Sequence, residues 1–226
     1  MASNDPERHR TCFLDPHPYG YVYVGARVAP PGHAPFVRRN RARDDALEEF
    51  RALAGELEAL PGAVATTVYE AVFMPPLEGG PRFDVVLLVT TASPEAVAEV
   101  LASEAYGRLD GELVMTGRNT RRIGETGSDP GATFLLNHFT APDPDRAVAV
   151  WEGLTRWYVS RIGVDNSTLL QPLGEAPFEL VNHVRLPSGP ARFLLAQFTR
   201  PSFFRRVRAD LRGAGMKARP VFYRRL

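Results

Sequence analysis

Cysteine is almost missing from this chain: Cys12 is the only one. No intrachain disulfide can form, which fits a reducing, cytoplasmic setting. Its surroundings, HRTCFLDPH, have no metal-ligand spacing and read as those of a passive thiol. Lysine is nearly missing too. Lys217 stands alone, so the positive charge is almost wholly arginine. Net charge is also lacking, at +1, so no overall field draws the chain to nucleic acid or to a membrane. Neither is expected as a partner. Long hydrophobic runs are absent, and none approaches the roughly 20 residues a bilayer span needs. The opening MASNDPERHR is polar and carries acids, so it is expected to be neither a signal nor a transit peptide. Residues 1–18 are expected to form a loose arm. There is no Walker loop, no GxGxxG and no GxSxG turn. Of five histidines, His9, His17 and His33 fall in the arm and the first loop without CxxC or HxxxH spacing, so no metal site is predicted.

What is present is ample apolar material, 44% of 226 residues, enough for one core or two small ones. GYVYVGARVAP reads as a strand stopped by Pro30. Asp44 to Leu60 puts Leu47, Phe50, Leu53, Leu57 and Leu60 on one helical stripe. AVATTVYEAVFMPP and RFDVVLLVTTA are strands. SPEAVAEVLASEAYGRL opens a helix with Ser93 as N-cap and Pro94 in its first turn. ELVMTGRNTRRI closes the set as a strand.

The order then recurs. ATFLLNHFTAP is a strand and DPDRAVAVWEGLTRWYVSRI a helix. FELVNHVRLP and ARFLLAQFTR read as strands flanking the turn at Ser188, Gly189 and Pro190. PSFFRRVRADLRGAG is a helix and ARPVFYRRL a last strand. Arg82-Phe83 matches Arg192-Phe193, and Pro94 matches Pro201. One assumption covers this: an α+β fold of two tandem βαββαβ units, residues 19–124 and 132–226, joined by a Gly/Ser/Pro linker at 125–131. Each unit makes a four-stranded antiparallel sheet with helices on one face. Pairing the bare faces closes a barrel-like interior.

This pattern resembles the dimeric α/β-barrel, ferredoxin-like superfamily as a tandem single-chain fusion. FDVVLLVTTASPEAVAEVLASEAYGRL is similar to its third strand and second helix. The superfamily includes polyketide cyclases, antibiotic-biosynthesis and other cofactor-independent monooxygenases, EthD-like proteins, stress-responsive proteins and some haem enzymes. Tyr106 stands where several of the cyclases carry a catalytic histidine, a departure from their pattern. The haem members usually take their proximal histidine from a helix. No helix here holds one, so no cofactor is expected.

Two polar pairs interrupt apolar strands: Asn137-His138 and Asn182-His183. A gap-free overlay of the halves, 112 residues apart, sets His138 opposite Ala26 and His183 opposite Ala71. The later half then supplies polar groups and the earlier half supplies space. An imidazole can take and return a proton near neutrality, and a desolvated one is held as a neutral base. Strand alternation sends only one member of each pair inward. His138 and His183 are the expected catalytic pair. Asn137, Asn182, Gln197, Tyr223 and Tyr69 are expected to bind substrate. The helix residues Trp151, Trp157 and Tyr158 read as packing. RRNRAR, Arg38 to Arg43, reads as a flexible entrance that attracts an anionic substrate or the phosphopantetheine of a carrier protein, and RRVRADLR as a solvated helix face.

The expected function is a small-molecule enzyme of specialised, polyketide-like metabolism. It would catalyse cofactor-free cyclisation, aldol-type condensation or dehydration on a hydrophobic organic substrate. The alternatives are a cofactor-independent monooxygenase and a non-catalytic ligand-binding or stress-responsive protein, each as monomer or homodimer.

Overall fold

The computed structural model describes residues 11–32, 34–127 and 129–226. The first half runs β1 (Gly20–Ala26), α1 (Arg41–Glu58), β2 (Ala63–Phe73) and β3 (Val85–Thr91). Two short helices, α2 (Val97–Ala102) and α3 (Glu104–Gly107), lead to β4 (Glu112–Ile123). The second half runs β5 (Thr133–Thr140), α4 (Pro144–Ile162), β6 (Ser167–Pro172), β7 (Leu180–Arg185) and α5 (Pro190–Phe198). A π-helical turn (Phe203–Val207) continues into α6 (Arg208–Gly213), and β8 (Lys217–Arg225) ends the chain.

The eight strands form one closed antiparallel barrel in the order β1-β3-β2-β8-β5-β7-β6-β4. Within each half the order is fourth, first, third, second, as a βαββαβ unit requires. The halves join where β2 pairs with β8 and β4 with β6, which leaves no free sheet edge. Eight strands enclose an interior about wide enough for side chains to fill.

Strand alternation sorts the core into layers. Tyr21 and Tyr23 of β1, Tyr69 and Ala71 of β2, Val86 and Leu88 of β3, and Phe134 and Leu136 of β5 point inward. Val181 of β7 and Val221 and Tyr223 of β8 join them. The opposite face of the first sheet packs Val22, Val24, Val85, Leu87 and Val89 against Leu47, Phe50, Leu53 and Leu57 of α1. The outer face of the second sheet meets Trp151, Leu154 and Trp157 of α4, and Phe203 and Val207 of the π-helical turn.

Local signals set the helix ends. Asn40 caps α1 by accepting from the Arg43 N–H. Asp143 caps α4 by accepting from the Arg146 N–H, Pro144 opens the helix, and Gly163 closes it at φ 81°.

Three expectations are corrected. ARFLLAQFTR is helix α5, not a strand: Gly189-Pro190 is a helix start, and Phe193 and Gln197 are buried four residues apart on one face. The second strand of the later unit is Ser167–Pro172, so FELVNHVRLP carries the third strand, β7. Residues 11–18 lie on the barrel rather than loose. The Leu14 N–H donates to the Arg122 carbonyl at 3.0 Å, and Phe13 packs on Trp151. His9 and His33 fall outside the described residues.

Candidate active-site cavity

The structure divides the sequence-derived site residues between two places. His138 and His183 do point into the barrel, with Tyr69 and Tyr223. Asn137, Asn182 and Gln197 lie on the other side of the second sheet, under the helices.

Inside the barrel there is packing, not space. His138, Phe134 and Tyr223 are 0% exposed and Tyr23 is 1% exposed. The shifted strand assignment explains part of this. The counterpart of β2 is β6, so the overlay that set His183 opposite Ala71 fails. Ala26 faces the helices of the first half. Opposite the histidines stand Tyr23 and Tyr69, which fill the expected room. The Tyr23 Oη and His138 Nε2 atoms are 2.9 Å apart, and the Tyr69 Oη and His183 Nε2 atoms are also 2.9 Å apart. Phe134 stacks on His183 at 5.3 Å. His138 Nδ1 lies 3.1 Å from the Arg219 carbonyl, which can only accept. The proton therefore sits on Nδ1, and Nε2 accepts from Tyr23. Burial lowers both imidazoles from 6.5 to about 4; the Arg219 charge adds to this at His138 and the Arg225 charge at His183. Tyr223 donates to the Phe83 carbonyl at 3.0 Å, and burial raises its phenol and those of Tyr23 and Tyr69. These rings form a satisfied polar core at neutral pH.

An open space lies between the outer face of the second sheet and α4, α5 and α6. It is a cavity of about 630 Å³, within the range of small-ligand sites. Its body is apolar, with Trp151, Leu154, Phe193 and Phe222 among its walls. Polar groups enter it from the sheet and from two helices. Asn137 of β5 and Asn182 of β7 are cross-strand partners, so their side chains share the helix-facing surface. The Asn137 Oδ1 atom is buried without a hydrogen-bond partner. Asn182 Oδ1 accepts from the Ser167 hydroxyl. Gln197 Oε1 accepts from the Tyr158 hydroxyl at 2.8 Å. With both carbonyl ends occupied, the NH2 ends of Asn182 and Gln197 are the donors left for a ligand. Burial raises the Tyr158 phenol, which keeps it a neutral donor. No carboxylate and no imidazole lines this cavity.

Tyr158, Thr155 and Ser167 are cavity residues that sequence reasoning missed. Tyr158 follows Trp151 and Leu154 on one α4 stripe, so its direction was legible although its role was not. Tyr23 was missed in the barrel, yet the alternation in YVYV marks it as inward.

Among the described residues no group of three or more His, Cys, Asp or Glu side chains is placed to hold a metal ion, and no helix is long and apolar enough to cross a membrane. Haem also fits poorly. The cavity offers no histidine or cysteine as an axial ligand. Tyr158 is committed to Gln197 and its phenolate is disfavoured, while Met216 is held in the core.

No family model matches the chain, and no curated protein matches it in sequence. Solved structures match it in fold. An anthrone oxidase-like protein superposes with a TM-score of 0.59 at 10% identity, covering 95% of this chain and 94% of that one. A proposed monooxygenase from Fusobacterium nucleatum gives 0.56 at 9% identity, covering 94% of each chain. A haem-binding protein from Thermus thermophilus gives 0.51 at 12% identity, covering 96% of this chain and 94% of that one. At these identities the likeness establishes the barrel fold.

Proposed function

We propose that this protein is a small-molecule enzyme whose substrate occupies the cavity beneath α4, α5 and α6, and that its reaction is a cofactor-independent oxygenation. The chain reads as a fusion of two ferredoxin-like units, supported by the strand order that recurs in each half. The observation that carries the functional reading is the cluster of amides in an apolar cavity, above all the unpartnered Asn137 Oδ1. A buried amide without a partner costs stability, so a ligand group that completes it is a ready explanation.

Cyclisation by histidine acid–base work has no support in this cavity, because both imidazoles sit across the sheet. Oxygenation asks less of the protein. An enolisable aromatic ketone of the anthrone type supplies its own acidic C–H. The NH2 groups of Asn182 and Gln197 stabilise the enolate oxygen as it forms, with Tyr158 holding the Gln197 amide in place. Dioxygen is the co-reactant: the methylene carbon loses two hydrogens and gains one oxygen atom, and the second oxygen atom leaves as water. The folds of the anthrone oxidase-like protein and the proposed monooxygenase agree with this class of chemistry.

A second reading, ligand binding without turnover, draws on the lack of any carboxylate or imidazole in the cavity wall. One experiment separates the two. Dithranol, a hydroxylated anthrone, is added to the protein in an oxygen electrode, with Trp151 fluorescence followed in parallel. Oxygen uptake above the spontaneous rate, reduced at least tenfold in Gln197→Leu, supports oxygenation. Quenching without uptake supports the binder. Neither signal removes the enolisable anthrone as substrate.

A further inference from the structure

The cavity is apolar in its depth but not at its mouth. Arg208 and Arg212 of α6 and Lys217 at the start of β8 all line it. The two arginines are four residues apart, so they stand one above the other on a single helix face. The π-helical turn at Phe203–Val207 ends immediately before Arg208. An extra residue in a turn shifts every following side chain around the axis, and such turns recur at functional sites. Here Val207, buried in the core, and its neighbour Arg208 both line the cavity.

Several arginines elsewhere in this protein are paired with acids, though most of the described cations are not. Arg27 pairs with Glu112, Arg121 with Glu152 and Arg185 with Asp129. Among the described residues Arg208, Arg212 and Lys217 have no salt-bridge partner. The one acid on their helix is Asp210, two residues from each arginine and so roughly 200° around the axis. Three unmatched cations at the rim of a cavity without acids raise the potential where a ligand enters.

We infer that the ligand is amphipathic, with an aromatic or aliphatic body beneath the helices and an anionic group held at the mouth by Arg208, Arg212 and Lys217. This rests on the cavity being the ligand site. It adds the substrate class, an organic acid or a phosphate-bearing derivative, since both present oxygens to a guanidinium fork.

A matched pair of fluorescent probes tests it. N-phenyl-1-naphthylamine is neutral, and 1-anilinonaphthalene-8-sulfonate has the same aromatic body with an added sulfonate. The intact chain is expected to bind both, and the sulfonate at least tenfold more tightly in low salt. That preference is expected to disappear in the triple variant Arg208→Gln, Arg212→Gln, Lys217→Gln, whose positions are all exposed. Equal affinities for the two probes in the unaltered chain would overturn the anion subsite while leaving the cavity reading standing. A preference that survives in the triple variant would overturn the assignment to these residues. Failure of both probes to bind would remove the cavity reading and this inference with it. Displacement by decanoate and by decyl phosphate, with decanol much weaker, separates the two sources of anion. Displacement by decanol equal to both would contradict the subsite.

Discussion

Tyr23 and His138 are each fully enclosed, and each satisfies the other. Removing the Tyr23 hydroxyl leaves His138 Nε2 as a buried acceptor without a partner, while Nδ1 keeps the Arg219 carbonyl. Tyr23→Phe is therefore expected to cost about 1–3 kcal/mol in urea unfolding at pH 7.5, while Tyr23→Phe/His138→Leu, which removes both groups, costs less than the single change. Titration gives a second test. Both imidazoles are held near 4 in the fold, against 6.5 when unfolded. A depressed folded value means the unfolded chain binds the proton first. The stability tied to these groups is complete above pH 6.5 and is lost as pH falls from there toward 4. The loss amounts to about 3 kcal/mol per ring at most. Urea midpoints from pH 7.5 to 4.5 are expected to fall steeply, and less steeply in the double variant. A similar argument applies to Glu70, which pairs with Arg43 of α1 at 3.3 Å and with Arg224 of β8 at 2.7 Å. Arg43 is 1% exposed, so Glu70→Ala strands a buried charge and ties fewer elements of the two halves together. Thermal and urea unfolding are expected to show a loss of about 3 kcal/mol.

Among the elements, the end of β4 before the joint is tightly constrained at Gly124. Gly124 has φ 53°, and a Cβ there would sit 2.2 Å from the Asp165 backbone carbonyl oxygen. Gly124→Ala is expected to lower stability by more than about 2 kcal/mol, read as a drop in thermal midpoint, because neither contact partner is a movable side chain. The elements also show what a lone sequence can disclose. Most of the first half was legible, because its strands alternate or stay apolar and α1 carries a cap; the helix expected to open at Ser93 and Pro94 starts instead at Val97, without a side-chain cap, and breaks at Ser103. The barrel followed from the recurrence of six elements. The later half misled at two places. ARFLLAQFTR is apolar enough to pass for a strand, and only the preceding Gly189-Pro190 betrays helix α5. STLLQP is six residues long, and its strand character comes from pairing with β4 and β7, which no local pattern announces. That slip moved β7 into the wrong place in the unit and paired His183 with the wrong neighbour. Alternation limited each Asn-His pair to one inward member, and the structure turns His138 toward Tyr23 and His183 toward Tyr69. Whether the interior held space was not readable, because it depended on Tyr23 and Tyr69 arriving from the other half.

Across the whole molecule, the two sheet–helix interfaces differ although the units share one strand order. The first packs an apolar layer against α1 and leaves a space of about 620 Å³ at its acidic end, beside Asp45, Glu49 and Glu112. The second keeps about 630 Å³ open and places amides in its sheet. Retaining Asn137 in a layer that its sister unit fills with Val and Leu costs stability, which is expected where a binding group is kept for use. Asn137→Leu is expected to stabilise the fold by about 1 kcal/mol, read as a higher urea midpoint, while weakening ligand binding at least tenfold. A variant both less stable and unaltered in binding would argue that Asn137 is structural.

The most direct test is a single titration followed by two-dimensional nitrogen–proton NMR, with N-phenyl-1-naphthylamine as probe. The side-chain NH2 signals of Asn137, Asn182 and Gln197 are expected to move in a saturable way, while the imidazole signals of His138 and His183 hold still. Moving imidazoles beside motionless amides would place the ligand inside the barrel and contradict the account.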